Sequence, residues 1–266
     1  MQDKLKVVIL CSTLRGSAAF HLPYLVNSSR YDIVGVLRAV NAKSSVKKRW
    51  IKISNKIKRI GILGAINGLR MRKWYQLDDI VIPIDIQCKK RNIPFFEFDN
   101  INSPKLIVAL QQLDSDVGIS LGNSYISSKV FQTPKFGMVN IHHEQLPDYQ
   151  NAQSVIWQLY NNSRTTGFTI HKINKRIDEG QIIYQKQVQI VFKNSLAETV
   201  YKTYVKLMKE SAEGLEKVLS AFPNYIKNAS TQSSGTKYTT PSFRQFLVIR
   251  RRFLDLRKSH NEISPN

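Results

Sequence analysis

The stretch Lys6–Ser17 (KVVILCSTLRGS) decides the fold class, because within twelve residues it changes from a buried strand to a turn and then to a helix. Its first six residues form a short apolar run, which is typical of a parallel strand covered on both faces. The small and polar residues that follow predict a turn, and a helix is expected from about Ser17 to Leu25. This unit is the building block of an open α/β sheet.

The same alternation of apolar runs and helical stretches continues along the chain. We therefore predict a Rossmann-like, open and mostly parallel sheet with helices on both faces. Ligands of such sheets bind beyond the carboxyl ends of the strands, where Ser12, Gly122 and His142 would lie. Further strands are predicted at 31–40, 93–98, 116–122, 137–141, 165–173 and 181–191, and helices at 79–91, 103–113, 151 or 153 to 160, 195–219 and 242–257.

The chain has 266 residues, enough for one large domain or for a domain with a small appendage. We predict a catalytic domain at 1–194 with a basic insertion at 43–78, followed by a helical extension at 195–266 that ends in a basic helix. No apolar run is long enough to cross a membrane, and no signal-peptide pattern is found, so a cytoplasmic protein is expected. Cys11 and Cys88 are expected to be reduced and buried.

The positive charge of the chain is concentrated in two segments. The net charge is +21; residues 43–75 contain 11 Lys or Arg and no acidic residue, and residues 242–260 contain six against Asp255 alone. An anionic partner is therefore expected to meet two particular surfaces. Three interpretations stay open: helices that pack on the body with their charges in water, peripheral attachment to an anionic membrane surface, or binding of a polyanionic acceptor.

Three polar side chains form the candidate reaction centre. Asn140 and His142 lie two residues apart near the end of a predicted strand and should face the same side. Asp178 follows 36 residues after the histidine, and Gly180 allows a sharp turn or a close approach of the backbone. An amide can hold a developing oxyanion, an imidazole can move a proton, and a carboxylate can orient the imidazole. Taken singly, each motif also fits an ordinary strand end or turn.

Four sequence motifs around these residues resemble the signature of the folate-dependent formyltransferase family, over roughly residues 4–195. The resemblance implies the formyltransferase fold and an N-formyltransferase that moves a formyl group from 10-formyltetrahydrofolate to a primary amine. The motifs are, in family order, 116–122 (DVGISLG), 137–149 (GMVNIHHEQLPDY), 166–171 (TGFTIH) and 177–183 (IDEGQII).

The resemblance also implies roles for individual residues. Asn140, His142 and Asp178 would be catalytic, with the first two donating to the oxyanion and Asp178 favouring the protonated imidazole; no metal is predicted. The pterin of the co-substrate would lie against Leu121, Gly122, Asn123, Ser124, Tyr125, Ile126, Arg176 and Ile177. The acceptor would lie near Ser12, Thr13, Arg15, Gly16, Tyr149 and Asn151. The loop from Ser12 is expected either to cradle a phosphate or to be an ordinary capped turn.

The acceptor is the least determined part of the prediction, because the chain departs from familiar members at 143–145 and 150–153. His143 would either contact the acceptor or turn to the opposite face, and His171 is expected to be a locally satisfied strand residue. A nucleotide-linked amino sugar, as a phosphorylated small-molecule amine, is the favoured acceptor, and a lipid-linked amino sugar would suit membrane attachment.

Other functions stay open beside that acceptor. Methionyl-tRNA is disfavoured as acceptor, since members acting on it usually carry a further C-terminal domain, and no specific nucleic acid is favoured. The alternatives are a formyltetrahydrofolate hydrolase and a catalytically silent folate- or nucleic-acid-binding protein. A homodimer is also left open.

Overall fold

The computed structural model describes residues 4–40 and 46–263. The strands in these ranges are β1 (Leu5–Cys11), β2 (Tyr31–Ala39), β3 (Phe95–Phe98), β4 (Val117–Leu121), β5 (Met138–His142), β6 (Thr165–Lys172) and β7 (Ile182–Gln189). They form one sheet in the order β3-β2-β1-β4-β5-β6-β7. Neighbours are parallel from β3 to β5, whereas β6 and β7 each run antiparallel to the strand before. The predicted open, mostly parallel sheet is confirmed.

Helices cover both faces of the sheet, as the apolar strands require. β1 shows the reason, since successive side chains of a strand point to opposite faces. Val7 and Ile9 lie in one core with α1, α3 and α7, while Val8 and Leu10 lie in another with α4 and α5. The described helices are α1 (Ser17–Leu25), α2 (Val46–Arg72), α3 (Ile84–Lys90), α4 (Pro104–Gln112), α5 (Ser128–Phe131), α6 (Ile156–Tyr160), α7 (Leu196–Ser220), α8 (Phe222–Lys227) and α9 (Phe243–Ile263).

Several predicted helix boundaries are wrong for identifiable reasons. The helix expected from residue 79 begins at Ile84, because Pro83 takes an extended conformation with ψ of 140° at the N-cap. The helix expected from residue 151 or 153 begins at Ile156, after Val155 with a φ of 71°. α5 and α8 are too short for an apolar period and were not predicted.

Serine hydroxyls cap two of the helices, and the prediction for the two thiols is confirmed. The hydroxyls of Ser103 and Ser195 accept hydrogen bonds from the backbone N–H groups three residues later, at 3.3 and 3.2 Å. Cys11 and Cys88 are free and buried. Burial raises the pKa of Cys11 to about 12 and that of Cys88 to about 11, so both thiols stay protonated at neutral pH.

The described part of the basic insertion is mostly helical; its first residues, 43–45, lie outside the described ranges. α2 is broken at Gly61, whose φ of 74° is not helical, and is followed by a 3-10 turn at Lys73–Tyr75. Buried side chains of α2, α6, α7 and α9 form a third core, which includes Met71 and Phe253. Within the described chain, no helix is both long and apolar enough to span a bilayer. The division at residue 194 stays a prediction; α7 packs in the same core as β1.

Candidate active site

Asp178 and His142 meet at the edge of the sheet where β5 ends. Asp178 lies between β6 and β7 with a φ of 58°, and its Oδ2 is 3.7 Å from Nδ1 of His142. The same oxygen accepts a hydrogen bond from the backbone N–H of Asn151 at 3.2 Å. Nε2 of His142 donates to the carbonyl of Tyr149 at 2.8 Å, so Nδ1 is the nitrogen that faces the carboxylate. At 3.7 Å the pair is too long for a direct hydrogen bond but close enough for charge interaction.

His171 connects Asn140 to this pair, which the sequence did not reveal. Its Nδ1–H donates to the carbonyl of Lys172 at 2.9 Å, so Nε2 is an acceptor. The amide nitrogen of Asn140 lies 3.2 Å from this Nε2 and donates to it, while Oδ1 of Asp178 is 3.8 Å away. The bond to Lys172 is the local contact that was expected, but the contact with Asn140 on the neighbouring strand was not predicted. The signal was its register opposite Asn140 across β5 and β6.

The environment of His171 sets both its charge and the orientation of the amide. Burial lowers the pKa of His171 to about 4, and the nearby carboxylate of Asp178 opposes this only in part. The ring is therefore neutral at neutral pH. One N–H of Asn140 is held by His171, and the other stays available for a ligand.

Gly180 is required by close packing beneath the Asp178 loop. A Cβ at this position would collide with the carbonyl oxygen of Lys172. The glycine therefore lets the loop cross directly over the end of β6, which places Asp178 next to His171.

A cleft of about 270 Å³ opens beside these groups, and we call it the Asp178 cleft. It contains two of the three predicted catalytic residues and most of the predicted pterin contacts. It also contains four residues that were not predicted: Ser120, Ile173, Asn174 and His171. Its lining residues are Ser120, Asn123, Ser124, Tyr125, Ile126, Asn140, Asn151, His171, Ile173, Asn174, Arg176, Ile177 and Asp178.

The loop after β4 is held by hydrogen bonds between neighbouring strand ends. Gly122 has a φ of 76°, and its carbonyl accepts a bond from the hydroxyl of Ser12. The amide of Asn123 donates to the carbonyl of Leu10 at 2.7 Å. The ends of β1 and β4 are thus joined, and the loop lines the cleft from a fixed position. Leu121 itself is buried in the core.

The structure brings only some of the predicted acceptor residues to the candidate site. Asn151 lines the Asp178 cleft, and Tyr149 contributes the carbonyl that holds His142. Arg15 donates to the carbonyls of Asp78 and Val81 at 2.8 and 3.0 Å, where the insertion returns to the body. Their part in acceptor binding stays a prediction, as does that of Ser12, Thr13 and Gly16, which line neither this cleft nor the cavity described next.

A second cavity of about 270 Å³ lies on the other side of His142, and we call it the Tyr75 cavity. His143 lines it, turned away from Asp178, with its ring 5.7 Å from that of Tyr204. Tyr75 comes from the end of the basic insertion, and its hydroxyl donates to the carbonyl of Ser154 at 2.6 Å. The lining residues are Tyr75, Ile141, His142, His143, Ala152, Gln153, Ser154 and Tyr204.

Buried titratable groups surround the Tyr75 cavity. Burial lowers the pKa of His143 to about 3 and that of His21, whose ring lies beside it, to about 4. Burial also raises the pKa of Glu144 well above its ordinary value, although Gln158 donates a hydrogen bond to its carboxyl. The rings of His143 and His21 are therefore uncharged at neutral pH, and the raised pKa of Glu144 favours its neutral form.

Residues 229–241, which we call the returning segment, cross from α8 to α9 over both loops of the site. Tyr238 stacks on Tyr149, and the backbone of Gln150 exchanges two hydrogen bonds of 2.9 Å with Thr236 and Tyr238. The amide of Gln232 donates to the carbonyl of Gly180 at 2.5 Å. The loops that carry Tyr149 and Asp178 are therefore held by one stretch of chain.

The fold and the strand-end site define a class of α/β transferase, and comparison with known proteins identifies its family. Residues 77–219, more than half of the chain, match the formyl transferase family. The chain therefore belongs to this family, as its sequence motifs predicted.

Relatives of known sequence agree with this assignment. The bifunctional polymyxin resistance protein ArnA of Wigglesworthia glossinidia brevipalpis is 35% identical over 140 residues, which are 52% of this chain and 20% of that protein. The methionyl-tRNA formyltransferase of Thermotoga neapolitana is 24% identical over 202 residues, 76% of this chain and 62% of that enzyme. The chain thus spans less than two-thirds of the length of these relatives.

Solved structures share the fold. Glycinamide ribonucleotide transformylase 1 from Symbiobacterium toebii has a TM-score of 0.57 and 13% identity, over 88% of this chain and 96% of that one. The N-formyltransferase from Helicobacter canadensis, in complex with folinic acid and dTDP-3-aminofucose, has a TM-score of 0.53 and 16% identity, over 94% and 80%.

Proposed function

We propose that this protein is an N-formyltransferase that uses 10-formyltetrahydrofolate as donor and a primary amine as acceptor. One observation carries the proposal: His142 lies between two cavities. On one side it faces Asp178 in the Asp178 cleft, and on the other it lines the Tyr75 cavity. A transfer reaction needs such an arrangement, because two substrates must approach one proton-moving group from different directions.

The Asp178 cleft fits the donor. Ile126 and Ile177 offer apolar surface to a flat ring system, and the amides of Asn123 and Asn174 offer hydrogen-bonding groups. Apolar walls with a few placed polar groups are typical of cofactor sites. The co-substrate would supply an activated formyl group to the cleft, with Asn140 and Asp178 on its wall.

The side chains have distinct parts in the proposed reaction. The free N–H of Asn140 would donate to the formyl oxygen as negative charge develops on it. Asp178 would stabilise a proton at Nδ1 of His142, the nitrogen it faces. His142 would then move the proton at this atom, while its Nε2 bond to Tyr149 keeps the ring in place. His171 would act through Asn140, whose amide it orients.

The acceptor we propose is a nucleotide-linked amino sugar, with its amine entering from the Tyr75 cavity. Four tyrosine or histidine rings line that cavity, and such rings pack well against a sugar. The uncharged ring of His143 on its wall also suits an uncharged amine, which is the nucleophilic form. The bound dTDP-3-aminofucose of the Helicobacter canadensis enzyme supports this class of acceptor.

The experiment is a tetrahydrofolate-release assay with 10-formyltetrahydrofolate and a panel of amines: nucleotide-linked amino sugars, free amino sugars and methionyl-tRNA. Asp178→Asn should lower turnover at least about a hundredfold, because the charge that supports the His142 proton is lost. Asp148→Asn is the matched control, since Asp148 is an exposed carboxylate of the neighbouring loop. Wild-type turnover in Asp178→Asn, or release without any amine, would contradict the proposal; the second result would indicate a hydrolase.

A further inference from the structure

The second half of α2, residues 62–72, is apolar on two opposite faces. Its inner face packs on the body through Met71, which is fully buried, and through Gly64 and Gly68. These glycines permit close contact: a Cβ on Gly64 would lie 3.3 Å from the backbone nitrogen of Phe243, and one on Gly68 would lie 2.7 Å from the Thr240 side chain. Because the inner face is fixed by these contacts, the helix cannot rotate to bury its outer face against the body.

The outer face carries large aliphatic side chains at helical spacing. Each exposes more than half of its surface: Ile62 65%, Leu63 58%, Ile66 60% and Leu69 60%. Positions i, i+1, i+4 and i+7 share one side of a helix. A helix that is apolar all round is normally covered on all sides. The first half of α2 contributes a further exposed apolar side chain, that of Trp50, which is 67% exposed.

Both helices at this surface are rich in cations, and Arg70 and Arg72 lie within residues 62–72 themselves. α2 contains nine Lys or Arg and no acidic residue. α9, which packs beside it, contains six against Asp255 and Glu262. Basic side chains beside exposed Trp, Ile and Leu are the combination found in helices that lie in the interface of an anionic bilayer.

A cavity of about 470 Å³ between α2, α9 and the start of α7 adds to this surface. It is lined by the guanidinium-bearing Arg70 and Arg250 together with Trp74, Phe246 and Leu254. Two cations over aromatic and aliphatic groups suit a phosphate that is attached to hydrocarbon.

We propose that α2 and α9 attach the protein peripherally to an anionic phospholipid bilayer, with Ile62, Ile66 and Leu69 inserted among the lipids and Arg70 and Arg250 at the phosphates. A second copy of the chain fits less well, since it would bring two strongly basic surfaces together. A nucleic acid would meet the charges but would leave the aliphatic side chains uncovered. The proposal is independent of the proposed function.

The test is co-sedimentation of the full chain with vesicles of mixed phosphatidylglycerol and phosphatidylcholine, compared with phosphatidylcholine alone. The wild type should partition onto the anionic vesicles at least about tenfold better. Ile62→Gln/Ile66→Gln/Leu69→Gln should lower that partition about tenfold or more. The matched control for lost apolar surface is Ile80→Gln/Ile86→Gln/Val108→Gln, at residues that are also exposed.

The charge is tested separately. Arg70→Gln/Arg250→Gln should lower partition about tenfold, whereas Lys89→Gln/Lys105→Gln, which removes two exposed charges elsewhere, should change it little. Formyl transfer to a small amine without vesicles should be the same in every variant.

Four results would overturn the proposal. The wild type does not prefer anionic vesicles, or the triple Gln variant sediments with them like the wild type. Alternatively, light scattering without lipid shows a wild-type dimer that the triple variant loses, which would assign the face to a second copy. An RNA should bind the wild type and the triple variant equally; loss of RNA binding in the triple variant would instead make this face a nucleic-acid surface.

Discussion

The Asp178 cleft and the Tyr75 cavity lie close to His142, which lines the cavity and faces Asp178 of the cleft, but the two are built differently. The cleft is lined by residues from strand ends and their loops, and its key side chains are ordered by polar contacts such as that of Asn140 with His171. The Tyr75 cavity is lined by aromatic rings, one of them from the end of the insertion, and is backed by groups whose pKa shifts favour their neutral forms.

The difference indicates how this family member is specialised. The cleft follows the family motifs, which fits a donor that members have in common. The cavity lies where the sequence departs from familiar members, at His143, Ala152 and Gln153, and where the insertion returns at Tyr75. We therefore expect substitutions in the cleft to affect every acceptor alike, and substitutions around the cavity to change the choice of acceptor.

The largest effect is expected at His142, which lines the Tyr75 cavity and faces Asp178 of the cleft. His142→Ala should lower kcat by about a hundredfold to a thousandfold for every acceptor, because the proton-moving donor is lost from both sides. Unfolding in urea should be nearly unchanged, since His142 has one partner at Nε2 and is not part of the apolar cores. An effect that depends on the acceptor would place His142 in the Tyr75 cavity alone.

The next largest effect concerns the close packing beneath the Asp178 loop, and it is measured as a loss of stability. Gly180→Ala should lower the free energy of unfolding by about 3 kcal/mol, because its Cβ would collide with the carbonyl of Lys172. Gly122→Ala is the matched control: its φ is 76°, but a Cβ there meets open space, so about 1 kcal/mol is expected. Equal losses in urea unfolding would show that the close approach at Gly180 has no special cost.

The smallest effect concerns the buried carboxyl behind the Tyr75 cavity. Glu144 has a raised pKa in the folded protein, so its contribution to stability is present below its ordinary pKa of 4.5 and is lost as the pH rises through the folded pKa. Wild-type stability should therefore fall with rising pH relative to Glu144→Gln, by up to about 1.4 kcal/mol per pH unit. Urea unfolding at pH 6 and pH 9 measures the difference.

Two controls complete this pH experiment. Parallel profiles for the wild type and Glu144→Gln would mean that the carboxyl is not held neutral by burial. His21 gives the opposite slope, because its folded pKa is lowered from 6.5 to about 4: its contribution is present above pH 6.5 and is lost as the pH falls toward 4. His21→Gln should therefore make the free energy of unfolding depend less on pH below pH 6.5 and leave the dependence above that pH unchanged.

The sequence predicted the sheet and the family, because both follow from local signals: apolar runs for the strands and short motifs at their ends. It did not predict the place of His171, which depends on the register between β5 and β6. Nor did it predict the Tyr75 cavity, whose residues meet only through tertiary packing. The positive φ of Asp178 could not be predicted either, because the glycine that indicates a turn here, Gly180, lies two residues later.

The returning segment has a mechanical consequence. It bonds to Gly180, close to Asp178, and holds Gln150 next to the Tyr149 carbonyl that fixes His142. It enters α9 at Phe243, within a few residues of Tyr238. Its Thr240 rests on Gly68 of α2. A movement of α2 and α9 would therefore be transmitted through this segment to the loops that position His142 and Asp178. The basic surface and the candidate active site are thus connected by one stretch of chain.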